Sequence, residues 1–120
     1  MSRAGQANTR VEDAKPKYLF EGRYNAEGAK GVAKEGGSGR LEAIRKACEG
    51  LGGKLDSLHF AFGDIDAYVI ADLPDNEAAA AMSLAVNQSG VSAAKVVVLM
   101  TPEEMDKASK KAVDYRPAGR

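Results

Sequence analysis

One twelve-residue stretch limits what this chain can become: His59-Phe60-Ala61-Phe62-Gly63-Asp64-Ile65-Asp66-Ala67-Tyr68-Val69-Ile70. Apolar residues alternate on both sides of Gly63-Asp64, and that dipeptide tolerates the positive φ of a tight hairpin turn. The pattern predicts two antiparallel strands in which Phe62 faces Ile65, Ala61 faces Asp66, Phe60 faces Ala67 and His59 faces Tyr68. Alternation then divides the hairpin into two surfaces. Leu58, Phe60, Phe62, Ile65, Ala67, Val69 and Ala71 form an almost wholly apolar one. Leu55, Ser57, His59, Ala61, Asp66, Tyr68, Ile70 and Asp72 form a mixed one. A slip of one residue would exchange the two, so the apolar face fixes the register.

The rest of the chain supplies what such a hairpin needs. Residues 1–16 are polar, small and aperiodic, which predicts a disordered leader. Lys17 to Tyr24 alternates as a first strand, with Tyr18, Phe20, Gly22 and Tyr24 on one side and Leu19, Glu21 and Arg23 on the other. Charges beneath a helix are unfavourable, so Glu21 and Arg23 belong with His59 on the mixed face. Asn25 caps a helix over Ala26 to Lys34, in which Gly28 and Gly31 imply irregularity or a close neighbour. Glu35 to Arg40 predicts a glycine-rich interruption before a second helix bearing Leu41, Ile44, Cys48 and Leu51 on one stripe. Gly52-Gly53 ends it.

After the hairpin, Asp75 caps an alanine-rich helix over Asn76 to Gln88, whose wide apolar arc predicts burial against more than one neighbour. Ala94 to Met100 reads as a Val-rich last strand. Thr101-Pro102-Glu103-Glu104 combines an N-cap, a proline at the first helical position and a capping box, and the helix it starts runs to Ala112. Residues 113–120 read as a flexible tail, which leaves 17–112 as the domain. The expected fold is α+β with ferredoxin-like split β-α-β topology: a βααββαβα order around a four-stranded antiparallel sheet. Both main helices then cover one face. The other, carrying Leu19, Leu55, Ile70, Val97 and Tyr68, is too apolar to stay bare, and two copies should pair through it by two-fold symmetry.

Composition narrows the function classes. Of 120 residues, 17 are basic and 17 acidic, so the chain lacks the excess positive charge of nonspecific nucleic-acid or anionic-membrane binders. The single Cys48 forms no internal disulfide, and no apolar run approaches a membrane span; a soluble cytoplasmic protein is expected.

Several short motifs along the chain resemble those of the GYD domain family of small bacterial and archaeal proteins. Gly63-Asp64-Ile65-Asp66 is similar to the Gly-x-Tyr-Asp signature, with Ile65 where the signature has tyrosine. Tyr24-Asn25-Ala26-Glu27-Gly28, Lys34-Glu35-Gly36-Gly37-Ser38, Asp72-Leu73-Pro74-Asp75 and Ser89-Gly90 extend the likeness over most of Tyr18 to Glu104. The resemblance implies a dimeric α+β barrel-like fold and no particular reaction.

The site with most chemical content is Glu21, Arg23, His59, Asp66 and Tyr68 on the mixed face. Histidine titrates near neutrality, and a neighbouring carboxylate or phenol can fix its tautomer. Enclosed between paired sheets, the group can bind a small molecule, with His59, Tyr68 and Asp66 as candidates for general acid-base catalysis. The bland alternative is that these residues make hydrogen bonds and ion pairs within an assembly interface. A second candidate is the Gly36-Gly37-Ser38-Gly39-Arg40 loop, whose amides and guanidinium can meet an anion, or which is simply a hinge. It lacks the Lys-Ser/Thr ending of a nucleotide-binding loop. No metal or cofactor is expected: one histidine beside turn aspartates is too few ligands, and nothing supports His59 as a haem ligand. The expected partner is a second copy of the chain.

Overall fold

A computed structural model describes residues 16–120; the leader expected over 1–16 lies outside them except for Pro16. Four strands, β1 (Lys17–Tyr24), β2 (Lys54–Phe60), β3 (Ala67–Asp72) and β4 (Ser92–Leu99), form one sheet in the order β2-β3-β1-β4. All neighbouring pairs are antiparallel. Among the described residues three helices accompany it: α1 (Ala26–Gly50), α2 (Asn76–Asn87) and α3 (Pro102–Ser109). The fold is therefore α+β, and its strand order fits the expected split β-α-β topology. Helix α1 rests mainly on β1 and β2, and α2 on β4.

The core lies between the sheet and these two helices. Tyr18, Phe20, Val69 and Ala71 face Cys48, Leu73, Ala78 and Ala79, all buried. Tyr18 is 1% exposed, and its hydroxyl donates to Asn76 Oδ1 at 2.7 Å, tying β1 to the first turn of α2. Burial pushes the Tyr18 phenol above its ordinary range, and the carboxylates of Asp75 and Glu77 add to the effect. Burial also raises Cys48, a core thiol rather than a reactive one.

The caps form as expected. Asn25 accepts from Gly28 N at 2.9 Å and donates to Gly90 O at 2.7 Å, so it fastens the loop before β4 as well. Asp75 accepts from Ala78 N. Thr101 and Glu104 complete a reciprocal capping box. Gly52, at φ +82°, ends α1.

Four expectations need correction. The hairpin pairs Phe60 with Ala67 and His59 with Tyr68, and Ala61 N donates to Asp66 O at 2.9 Å. The reversal, however, takes the four residues 62–65, and Gly63 does not adopt positive φ. A longer loop turns the chain without a left-handed residue, and it sends Phe62 fully into solvent instead of onto the apolar face. Secondly, β2 carries a bulge: Leu55 pairs with Ala71 and Ser57 with Ile70, leaving Asp56 as the extra residue. That offset moves Leu55 off the mixed face and onto the core side, where it packs against the buried cluster.

Thirdly, the expected pair of helices joined by a loop is one helical run broken at Gly36 alone, at φ +80° and ψ +166°. Gly37, Ser38, Gly39 and Arg40 are helical, so the six-residue loop does not exist. Only glycine adopts that left-handed backbone readily, so the kink falls there. Fourthly, the alanine-rich α2 buries only Ala78 and Ala79, and Leu84 is 68% exposed. Among the described residues its main packing partner is β4, and much of the arc is exposed. Minor differences concern ends: β4 begins at Ser92 rather than Ala94, and α3 stops at Ser109 rather than Ala112.

Candidate functional site

The uncovered face of the sheet gathers most of the expected site. Its register is set by β1, which pairs Glu21 with Tyr68 on one side and with Lys95 on the other, while Tyr68 pairs with His59. The four side chains His59, Tyr68, Glu21 and Lys95 thus form a single row across all four strands. Ser57, Ile70, Leu19 and Val97 make the next row, with apolar groups on three strands. Beyond it, Lys17 bridges Asp72 at 2.7 Å and Asp56 at 3.0 Å. Those hydrogen bonds raise the Lys17 pKa, the bond to Asp72 most. Such exposed pairs contribute little to stability.

Within the row, no side chain forms a hydrogen bond or ion pair with a described residue. Tyr68 is 38% and Val97 40% exposed, so an apolar stripe with a polar band beside it meets solvent in the single chain. Arg23 lies one row further, opposite Ala93, and is exposed. Asp66 leaves the group. Its carboxylate accepts from Tyr24 N at 2.8 Å and its own N–H donates to Gly22 O at 2.9 Å. It extends the β1–β3 ladder past the end of the strand, which is backbone work.

Lys95 was missed by sequence reasoning, although the signal was present. It stands two residues before Val97, already placed on the mixed face, and period-two alternation carries it there too.

The second feature lies on the helix side. A cleft of about 540 Å3 opens between α1, α2 and the loop leading to β4. Gly28 and Gly31 explain its shape. A Cβ at Gly28 would lie 2.2 Å from Val91 O, so glycine permits the helix to touch the loop there. At Gly31, one turn on, a Cβ would meet nothing within 4 Å, and the walls diverge. The remaining lining is mostly apolar, with Val32, Ile44, Met82 and Val86 prominent. Arg40 enters it from α1, beyond the kink, and donates from Nη1 to Glu35 Oε2 at 3.2 Å. Its Nε is buried and has no partner among the described residues. A smaller cavity of about 70 Å3 shares Arg40, Ile44 and Met82 and runs inward to Phe20 and Cys48. Of the expected anion loop, then, Arg40 reaches a concave surface; Gly36 supplies the kink, and Gly37 lies beside the ring of Phe60.

Among the described residues, no group of three or more His, Cys, Asp and Glu side chains is placed to hold a metal ion. No described helix is long and apolar enough to cross a membrane. A family model, that of the GYD domain, matches residues 18–109. No curated protein and no solved structure matches the chain.

Proposed function

The chain belongs to the GYD domain family, and from that premise we propose that it works as a homodimer or larger homo-oligomer. Its uncovered sheet faces pair in a dimeric α+β barrel and hold a small molecule over the His59–Tyr68–Glu21–Lys95 row. The row itself carries this reading: four polar side chains without partners among the described residues, beside a stripe of Leu19, Ile70 and Val97. Burying each of those aliphatic side chains contributes about 1.5–3 kcal/mol, a strong drive to cover them. A two-fold contact is self-complementary in position, so Glu21 of one copy can meet Lys95 or Arg23 of the other. His59 and its cross-strand neighbour Tyr68 supply a proton-transfer pair for acid-base chemistry on the bound molecule. Asp66, spent on Tyr24 N, is no part of it.

The competing reading is assembly alone, with the row serving only interface hydrogen bonds and ion pairs; the backbone role of Asp66 favours it. Two variants separate the readings. Ile70→Asp places a charge in the apolar stripe and should yield folded monomers by sedimentation at micromolar concentration. If it stays oligomeric, the face does not pair. His59→Ala should keep the oligomer and lose the melting-temperature rise given by hits from a small-molecule thermal-shift screen. Hits that survive His59→Ala, or a collapse of the oligomer, would assign His59 to structure.

A further inference from the structure

We infer that the helix-side cleft is a second binding site, taking a small carboxylic acid with an apolar body, and that Glu35 holds the guanidinium edge which the ligand's carboxylate would take. The cleft is made within one chain, so this does not depend on pairing through the sheet.

Two observations meet here. The first is volume and character: about 540 Å3 walled largely by Val32, Ile44, Met82 and Val86, within the range of small-molecule pockets. The second is an arginine short of acceptors. Arg40 has five N–H donors, and the described residues give it one bond, Nη1 to Glu35 Oε2 at 3.2 Å, with Nε buried and unpaired among them. Leaving a buried charged donor without an acceptor is unfavourable, and arginine is best satisfied by a carboxylate that takes two parallel N–H bonds. Glu35 makes only one because it is anchored on the same helix, one residue before the kink at Gly36. A free carboxylate is not so constrained and can take both.

Exchange is feasible because the Glu35 side chain is 40% exposed and can turn to water when displaced, whereas that of Arg40 is 29% exposed. The other carboxylate on the lining, Glu27, sits in the first turn of α1 and is exposed. Gly31 lies between Glu27 and Glu35 on one helical face, and its missing side chain leaves the entrance open. The chemistry therefore selects an anionic head on Arg40 and a hydrocarbon or aryl body against Ile44, Met82 and Val86.

The test is calorimetry on the full chain with phenylacetate and hexanoate, against benzylamine, benzyl alcohol and acetate. The two apolar acids should bind saturably, and the amine, the alcohol and acetate much more weakly. Arg40→Gln should weaken the acids roughly tenfold or more. Glu35→Gln should tighten them by removing the competitor. Gly31→Leu fills the entrance at a position with room for a side chain and should abolish binding without altering charge. This last variant decides the matter if Arg40→Gln fails to fold. No saturable binding of either acid, equal binding of benzylamine, or unchanged affinity in Gly31→Leu would overturn the proposal. Persistence of binding in the Ile70→Asp variant keeps it distinct from the sheet-face reading.

Discussion

The two faces of this sheet are cut from the same strands and end in opposite states. On β1, Tyr18 and Phe20 are 1% and 5% exposed beneath the helices, while Leu19 and Glu21, between and beside them, look out from the face opposite α1 and α2. The alternation is equally regular on both sides. What differs is whether a connection crosses: α1 and α2 both arise from crossovers that return over one face. The covered face is buried against helices of its own chain; the other carries an apolar stripe that meets solvent in the single chain.

The largest expected effect tests that contrast directly. Phe20→Ala should destabilise the fold by about 3–5 kcal/mol at every protein concentration, because it opens a cavity in a core complete within one chain. A domain of this size has only ~5–15 kcal/mol in total, so a large share of the stability would be lost. Leu19→Ala, one residue away, should change the dilute chain far less and cause a loss that grows with concentration as assembly weakens. Urea titrations at two concentrations check both. Equal, concentration-independent losses would mean that the two faces do not differ in kind.

A smaller pair of effects contrasts two ends of the covered face. Gly28→Ala would place a Cβ 2.2 Å from Val91 O, a contact with backbone that no rotamer relieves, and should lower stability by roughly 1–3 kcal/mol. Gly31→Ala, three residues on, meets nothing within 4 Å and should raise stability by about 0.5–1 kcal/mol through helix propensity. Opposite signs in thermal melts would confirm that α1 is closed against the β4 loop at one turn and open at the next.

These contrasts were unequally legible in the sequence. The strand register was readable because the His59–Tyr68 and Phe60–Ala67 pairs each carry a face, and face is enforced by burial. Leu55 was not, because a bulge at Asp56 reverses parity and leaves no mark in hydrophobicity alone. At Gly36 the glycines announced a break, yet four of the five residues from Gly36 to Arg40 have side chains or backbone compatible with helix once neighbours hold them, and tertiary context decided. The face of each residue in the row was legible, since alternation places His59, Tyr68, Glu21 and Lys95 together; their alignment in one row needed the β1–β4 register. The cleft was not legible, since it depends on how far apart two helices stand. Its only trace was a pair of glycines in α1 whose opposite roles, contact at Gly28 and space at Gly31, one chain cannot declare.

The smallest effect concerns the only thiol. Cys48 is fully buried on the covered side, and burial raises its pKa. A raised acid binds its proton more tightly folded than unfolded, so at neutral pH both states are protonated and the group adds no pH dependence. As pH climbs through the ordinary cysteine range, the unfolded chain releases its proton first and stability falls. Lys17 and Tyr18 also have raised values and change over a higher alkaline range, so the thiol's share is the difference between wild type and Cys48→Ala. The same residue gives a kinetic measure of the two faces. Ellman's reagent should reach Cys48 only through unfolding, so its reaction stays slow even in dilute solution. In the Cys48→Ala background, Val97→Cys places the thiol on the uncovered face, where reaction should be fast in dilute solution and slow as copies associate. A rate at position 97 that ignores concentration would show that the face stays open to water.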